Sequence, residues 1–464
     1  MTMAPDASLR YLEEHFKRFT QELVDYSKIP SVSFEGFPPD PLRHSAEWTA
    51  QKMREVGLEN VEILTIPDCH PYVYGEWMGA PGKPTLLLYG HHDVQPPGRQ
   101  EYWKSPAFDP SERDGRLYGR GVADDKAGVM MHLVALEAIL KSEGKLPLNV
   151  RFIVEGEEET GSEHLGDFLK LYREKLKSDV LVLTDTGNLE EGLPSITYRL
   201  RGLVDAVVEV RTLNHPVHSG MWGGPVMDAL TALNRILARL TTPEGKVAIP
   251  GFYDGLEIPD AHEKALLSRL PFREELFRKE LGSVESLKFA GDSNLSVYEK
   301  IWCQPAVAIL GIDAPTVQET SNKIVEWARA KVSIRIASGQ NPQGCLRKLC
   351  DFLAKDPPWG AQVKVTPGTA GNPWKVDPKG PAFEAAARAL EKGFGRPAAF
   401  IGCGGSIPFV KPIAEVFGGI PALLIGIEDP ACNAHGENES LSLSDWKKGM
   451  RSAVYLYEEL GSVL

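Results

Sequence analysis

The spacing of apolar residues divides the first part of the chain into alternating helices and strands. Leu12, Phe16, Phe19 and Leu23 recur at helical spacing and predict a long amphipathic helix over residues 9–26. Residues 85–89 form a nearly continuous apolar run, which is typical of a strand buried on both faces. Further elements are predicted as helices over 44–56, 126–140 and 163–176, and as strands over 61–66, 149–154 and 179–183. This alternation indicates a layered α/β domain with a largely parallel sheet.

The pattern then changes to that of a small α+β unit. Its predicted elements are strands over 203–210, 331–336 and 362–365, helices over 226–240 and 343–354, and a long irregular stretch up to about residue 305. The α/β pattern returns with a helix over 382–393, a strand over 422–425 and a final helix to residue 460, for which Ser444 is the expected N-cap. We therefore predict that an α+β domain of residues 198–370 is inserted into an α/β domain of residues 1–197 and 371–464.

The composition is that of a globular protein with an acidic surface. Of 464 residues, 25% are charged and 42% are hydrophobic, and the formal net charge is −12. Because an acidic surface repels phosphate groups and anionic lipid, nucleic acid and membranes are poor partners, and a small molecule or peptide fits better. The first ten residues lack the apolar segment of a secretory signal, and we expect a cytoplasmic protein. Six scattered cysteines without a Cys-x-x-Cys pair argue against a disulfide framework or a thiolate zinc site.

Acidic residues and histidines collect at the ends of predicted strands and in loops of the α/β domain. They are, in chain order, His91, Asp93, Asp124, Asp125, Glu158, Glu159, Asp185 and His435. Capping of the helix that follows residue 125 explains one of the two adjacent aspartates, but not both. Four glutamates within residues 155–159 repel one another unless cations or water neutralise them. Because ligands collect at the carboxyl ends of parallel strands, we expect these groups to meet in one site.

The donor types in this set indicate a pair of divalent metal ions. Carboxylates and imidazole without thiolate suit Zn²⁺, Mn²⁺ or Co²⁺, and a bridging carboxylate would hold two ions about 3.5–4 Å apart. The reaction class that follows is hydrolysis by a metal-bound water.

Seven motifs, in this order, resemble those of the M20 family of metallopeptidases, and in particular its carnosinase-like dipeptidase branch. They are Gly90-His91-His92-Asp93-Val94-Gln95-Pro96, Gly119-Arg120-Gly121 with Asp124-Asp125-Lys126, Glu158-Glu159, Asp185, His218-Ser219-Gly220, Gly404-Gly405-Ser406-Ile407-Pro408, and His435 before Asn438-Glu439. The resemblance implies a zinc-peptidase-like α/β catalytic domain with an inserted α+β lid. In many members this lid also mediates dimerisation, so we expect a homodimer through the lid domain.

The resemblance also implies a metal-ligand set. Asp124 would bridge the two ions, His91 and Asp185 would bind one of them, and Glu159 and His435 would bind the other. Zn²⁺ is the expected metal, with Mn²⁺ or Co²⁺ as alternatives. 

The same resemblance implies catalytic roles for two further residues. Glu158 would be the general base that takes a proton from the bridging water. Asp93 would hold His91 in the tautomer that binds metal.

The resemblance assigns the remaining roles to substrate recognition. His218 would donate a hydrogen bond to the oxyanion, and in dimeric relatives this histidine comes from the partner subunit. Arg335 would bind the substrate carboxylate, together with the N–H groups around Gly405 and the hydroxyl of Ser406. The chain departs from the pattern just before this glycine pair, because many carnosinase-like members have Arg-Glu where this sequence has Gly402-Cys403.

Three other functions compete with a dipeptidase. An amidohydrolase that removes acyl groups from N-acyl amino acids would use the same metal site, and only the partner of the substrate's amino end separates the two. A binding protein that had lost catalysis would be expected to lack the base or a ligand, and none is missing. A thiol hydrolase would pair Cys403 with His435, which the metal assignment already uses.

Overall fold

The computed structural model describes residues 5–405 and 410–464. The strands are β1 (Glu59–Leu64), β2 (Tyr72–Trp77), β3 (Thr85–His91), β4 (Ser111–Arg113), β5 (Arg116–Tyr118), β6 (Asn149–Glu155), β7 (Val180–Leu183), β8 (Ser195–Leu200), β9 (Gly202–Arg211), β10 (Val217–His218), β11 (Ala306–Asp313), β12 (Lys323–Ile324), β13 (Trp327–Ile336), β14 (Gln362–Gly371), β15 (Trp374–Lys375), β16 (Ala399–Cys403), β17 (Ala422–Ile425) and β18 (Ser440–Ser442). The helices are α1 (Asp6–Ser27), α2 (Asp40–Val56), α3 (Lys126–Glu143), α4 (Leu165–Leu171), α5 (Arg173–Leu176), α6 (Ser219–Trp222), α7 (Ala229–Ala238), α8 (Ala261–Ser268), α9 (Glu274–Leu281), α10 (Val297–Cys303), α11 (Pro342–Ala354), α12 (Pro381–Phe394), α13 (Val410–Val416) and α14 (Leu443–Val463).

A large mixed sheet forms the first layer, in the order β1-β2-β6-β3-β7-β17-β8-β15, with β16 also paired to β8. Its centre, β6-β3-β7-β17, is parallel. Successive side chains of β3 point to opposite faces of the sheet and pack in two different hydrophobic clusters. Leu86 and Leu88 pack with residues of α1, α3 and α14. Leu87 and Tyr89 pack with residues of α4. Helices on both faces explain why this strand is apolar throughout, and the expected α/β fold class is confirmed.

A second, antiparallel sheet has the order β11-β13-β9-β14. The buried residues of β9, including Val208, pack against Leu233 of α7 and Leu349 of α11, which cover one face. The chain enters this sheet between β8 and β9 and returns to the large sheet between β14 and β15. Cover by these two helices on one face explains why buried residues alternate with more exposed ones along β9 and β13.

The stretch before residue 305 is more regular than the sequence pattern predicts, because it contains α8, α9 and α10. These helices are only one or two turns long, so apolar periodicity is weak, and their clearest signals are capping boxes at Asp260 with Glu263 and at Ser296 with Glu299. Trp302 of α10 packs with Ile401 of β16. This segment therefore lies against the large sheet.

Two smaller expectations are also wrong. The helix expected over 163–176 is divided into α4 and α5 at Tyr172. The N-cap of α14 is Ser442 rather than Ser444, since the Ser442 side chain accepts a hydrogen bond from the N–H of Asp445. Ser442 is also the last residue of β18, so the cap joins strand directly to helix.

Among residues 5–405 and 410–464, no helix has both the length and the apolar character that a bilayer crossing requires.

Candidate metal centre

The predicted ligands lie at the carboxyl ends of neighbouring parallel strands. His91 ends β3, Glu158 and Glu159 follow β6 in a short 3₁₀ turn, and Asp185 follows β7. Asp124 precedes α3. The parallel order β6-β3-β7 brings these strand ends side by side, so residues far apart in the chain share one edge of the sheet.

The loop that carries His435 is attached to this edge by a short strand pair. β18 pairs with β5, and Arg120 donates a hydrogen bond of 2.7 Å to Glu439. The Glu439 carboxylate also accepts hydrogen bonds from the N–H groups of Gly121 and Ala123, at 2.9 and 3.0 Å. Both charged side chains are buried, so this ion pair and its hydrogen bonds fix the loop before Asp124 relative to the loop that carries His435.

Asp124 lies between the two histidines. Its Oδ1 is 2.9 Å from Nε2 of His91, and its Oδ2 is 3.0 Å from Nε2 of His435. The same nitrogen of His435 is 3.3 Å from Oε2 of Glu159. One carboxylate oxygen therefore faces each imidazole, which is the arrangement that a bridging ligand requires.

Two sets of donor atoms surround Asp124. One contains His91, Glu158 and Asp185, and the other contains Asp124, Glu159 and His435; within each set the donor atoms lie within 4.8 Å of one another. The described residues thus bring all five predicted ligands and the predicted base together.

Asp93 orients both His91 and the glutamate turn. Nδ1 of His91 is 3.0 Å from the backbone carbonyl of Asp93, so this nitrogen donates and Nε2 faces Asp124. The Asp93 carboxylate accepts hydrogen bonds from the N–H groups of Glu158 and Glu159 and from the Ser33 hydroxyl, at 3.2, 3.0 and 2.7 Å. One aspartate thereby positions a ligand and the turn beside it.

The acidic groups of the centre repel one another strongly. Burial, together with the charge of Asp124, raises the pKa of Glu158 to about 7 and the pKa of Glu159 to about 10. Burial also raises the pKa of Asp185 well above its ordinary value, with the charges of Glu158 and Asp124 adding to the effect. Buried carboxylates in such excess fit divalent cations, since bound positive charge removes the repulsion.

Sequence reasoning missed Glu428 as a residue of this centre. It follows β17, and one of its oxygens lies within 4.8 Å of oxygens of Asp124 and Asp185. Burial, with the charges of Asp124 and Glu439, raises the pKa of Glu428 well above its ordinary value. The strand over 422–425 was predictable, so the rule that located the other ligands also points to the acidic residue after it.

Arg201 lies beside the glycine-rich turn, and the charge of Arg335 acts on it. Arg335 lies on β13, between β11 and β9. Nε of Arg201 donates a hydrogen bond of 3.2 Å to the carbonyl of Gly404, and burial together with the charge of Arg335 lowers the pKa of Arg201 to about 10. Arg335 was expected from the sequence, whereas Arg201 was not.

Gly405 and Ser406 were also predicted to bind the substrate carboxylate, and Cys403 was considered as a nucleophile. The N–H of Gly405 donates to the sulfur of Cys403 at 3.3 Å, and Ser406 lies outside the described residues. Burial raises the pKa of the Cys403 thiol, which opposes the thiolate that a thiol hydrolase would need.

His218 lies on a different sheet from the strands that carry the predicted metal ligands. It is exposed, pairs with Lys323 through β10 and β12, and accepts a hydrogen bond from the N–H of Gly220 at 3.1 Å. Neither donor set around Asp124 includes it.

Two carboxylate–histidine sets at the strand ends of an α/β sheet define a metal-dependent hydrolase. A family model described as Peptidase family M20/M25/M40 matches residues 87–459, and the chain belongs to this family. It is therefore an enzyme of the metallopeptidase class, and the expected membership of M20 is confirmed.

Known proteins similar to the chain include dipeptidases. It is 32% identical over 429 residues to the cysteinylglycine-S-conjugate dipeptidase of Corynebacterium striatum, with 92% of this chain and 91% of that protein covered. The crystal structure of human carnosine dipeptidase 1 has a TM-score of 0.84 and 26% identity, and both chains are covered completely, at 100% each. The di-peptidase Dug1p of Saccharomyces cerevisiae has a TM-score of 0.85 at 24% identity, with coverage of 100% of this chain and 99% of that one, and supports the fold.

Proposed function

We propose that this metallopeptidase hydrolyses the amide bond of dipeptides at a centre that holds two divalent metal ions. The observation that carries the proposal is the position of Asp124, with one oxygen facing His91 and the other facing His435. Relatives named as dipeptidases over nearly the whole chain support the substrate class.

One ion would be held by His91 and Asp185, and the other ion by Glu159 and His435. Both ions would be held by Asp124. The donors are oxygen and nitrogen without sulfur, which suits Zn²⁺ and also Mn²⁺ or Co²⁺. When bound, the ions supply Lewis acidity at the scissile carbonyl and lower the pKa of water.

Glu158 would act as the general base. It belongs to the donor set of His91 and Asp185, and its backbone N–H is held by Asp93. A carboxylate in this position can take the proton of the attacking water and return it to the departing amine. Asp93 acts on this step only by positioning the turn and His91.

Arg335 would bind the carboxylate of the substrate, together with the glycine-rich turn at Gly404 and Gly405 and with the hydroxyl of Ser406. Guanidinium and carboxylate form a planar, bidentate pair, which fixes the substrate's orientation as well as its affinity. Arg201 lies beside the same turn and adds positive charge there.

We further propose that residues 198–370 form a lid domain through which two chains make a homodimer. β11 lies at the edge of its sheet and exposes Ile309, Leu310 and Ile312. An exposed apolar edge strand favours pairing with another chain. In such a dimer His218 of one subunit would donate to the oxyanion at the other subunit's metal centre.

The proposed location is the cytoplasm. All six cysteines are free, which suits a reducing compartment.

A comparison of two substrate classes on metal-reconstituted protein tests the function. Protein is stripped with a chelator, refilled with Zn²⁺, Mn²⁺ or Co²⁺, and assayed on unblocked dipeptides and on N-acetyl amino acids. We expect activity to disappear with the metal, to return on refilling, and to favour dipeptides. Cleavage of N-acetyl amino acids without cleavage of dipeptides would establish the deacylase instead.

A further inference from the structure

Glu428 is an acidic residue of the centre that belongs to neither proposed ligand set and has no role in the proposed reaction so far. The described residues place no cationic side chain in an ion pair with its carboxylate, although that carboxylate lies beside Asp124 and Asp185. The group formed by these three residues, which we call the carboxylate triad, contains no imidazole. Its chemistry therefore differs from that of the two sets with histidine.

The spacing of the carboxylate triad fits a primary ammonium group. An –NH₃⁺ has three tetrahedral donors, and charge-assisted hydrogen bonds of about 2.8 Å place three acceptor oxygens about 4.6 Å apart. The three oxygens of the triad lie within 4.8 Å of one another. Each carboxylate has about four lone-pair sites, so Asp124 and Asp185 can bind metal and still accept a hydrogen bond.

Positive charge also lies near Cys403, because Arg201 donates a hydrogen bond to the carbonyl of Gly404, the next residue along the chain. The thiol of Cys403 senses the negative charge of Glu428 and the positive charges of Arg201 and Arg335. In the described part of the chain, neither arginine forms an ion pair with a carboxylate. The surroundings of Cys403 thus contain both acidic and basic side chains, which complement a short zwitterion whose amine and carboxylate flank one amide bond.

We propose that Glu428 binds the free amino terminus of the dipeptide and thereby selects dipeptides over N-acyl amino acids. The inference rests on the proposed function and gives that function its specificity residue. An acyl group carries no ammonium, so it would leave the half-buried Glu428 carboxylate without a partner of opposite charge.

The test uses two substrates that differ only in the amine: alanylalanine and its deaminated analogue, propionylalanine. We expect the wild-type enzyme to prefer alanylalanine at least 100-fold in kcat/KM. In Glu428→Gln, kcat/KM for alanylalanine should fall about 100-fold, while the value for propionylalanine stays within about threefold. Glu112→Gln removes an exposed carboxylate on β4 and should leave both values unchanged.

Metal content, measured on the same samples, separates amine recognition from metal binding. We expect two ions per chain in wild type and in Glu428→Gln. If wild type binds a third ion that Glu428→Gln does not bind, Glu428 is a metal ligand and the proposal is wrong. The proposal is also wrong if kcat/KM falls equally for both substrates in Glu428→Gln. A wild-type enzyme that prefers propionylalanine would instead refute the dipeptidase function on which the proposal rests.

Discussion

At the scale of single residues, Asp93 shows which contacts of the centre can be predicted from the sequence and which cannot. Its place two residues after His91 predicts a contact between them, and the structure has that contact through the Asp93 backbone carbonyl. The hydrogen bonds from Glu158 and Glu159 to its carboxylate were not predictable, because they depend on the adjacency of β3 and β6. Arg201 was missed because its position beside Gly404 depends on the pairing of β8 with β16, whereas Glu428 follows a predicted strand and could have been found by the strand-end rule.

The role of Glu158 predicts a specific loss. Glu158→Gln keeps the size of the side chain and removes the base, so kcat should fall by about 10²–10⁴ while the metal content is retained. Steady-state kinetics and elemental analysis measure the two quantities. Glu163→Gln changes an exposed carboxylate nearby and should match wild type in both. Full turnover by Glu158→Gln would show that another group is the base.

At the scale of elements, long helices and buried strands were predictable and short elements were not. The apolar periodicity of α1 and α3 extends over several turns, whereas α8 and α10 are recognisable mainly by their capping boxes. The pair β5–β18 joins two three-residue strands that are far apart in the chain. Pairing of such short strands has no local signal, although it positions the His435 loop.

The contact between α3 and α14 predicts a pH dependence of stability. His132 is buried on α3, with Nδ1 2.7 Å from the hydroxyl of Tyr457 on α14, and burial lowers the pKa of His132 from 6.5 to about 3. Between these values the unfolded chain binds a proton that the folded chain does not. Stability therefore increases with pH in this window and is lost as the pH falls from about 6.5 towards 3, by at most about 1.4 kcal/mol per pH unit.

Urea unfolding of the metal-free protein between about pH 5 and 6 measures this contribution. His132→Gln should make the free energy of unfolding less dependent on pH than in wild type, whatever its absolute stability. The exposed His44 provides a matched control, and His44→Gln should keep the wild-type slope. An unchanged slope in His132→Gln would mean that the folded protein already protonates this histidine.

At the scale of the whole molecule, the proposed metal ligands and His218 belong to different sheets. The proposed ligands lie at one end of the large sheet, while His218 lies on the small β10–β12 pair and is exposed to solvent. A homodimer through β11 would allow this histidine to act on the partner's substrate.

Subunit mixing tests that arrangement. His218→Ala and Glu158→Ala subunits, each with little activity alone, are mixed under conditions that exchange subunits. One site of each heterodimer then has both an intact base and an intact histidine, so activity should recover to as much as about a quarter of the wild-type level. Refolding each variant by itself provides the control. Absence of recovery in mixtures that do form heterodimers would place His218 and Glu158 of one chain in the same site.

The strand pair β5–β18 also determines when in its biosynthesis the protein can become an enzyme. His91, Asp124, Glu159 and Asp185 are synthesised before β9, whereas His435 and Glu439 are synthesised after β17, with β18 and α14. The elements that leave the ribosome earlier can fold first, as they commonly do during synthesis. The second proposed ligand set is completed only after β18 has been made, so a chain that terminates before β18 would retain one proposed ligand set without becoming a peptidase.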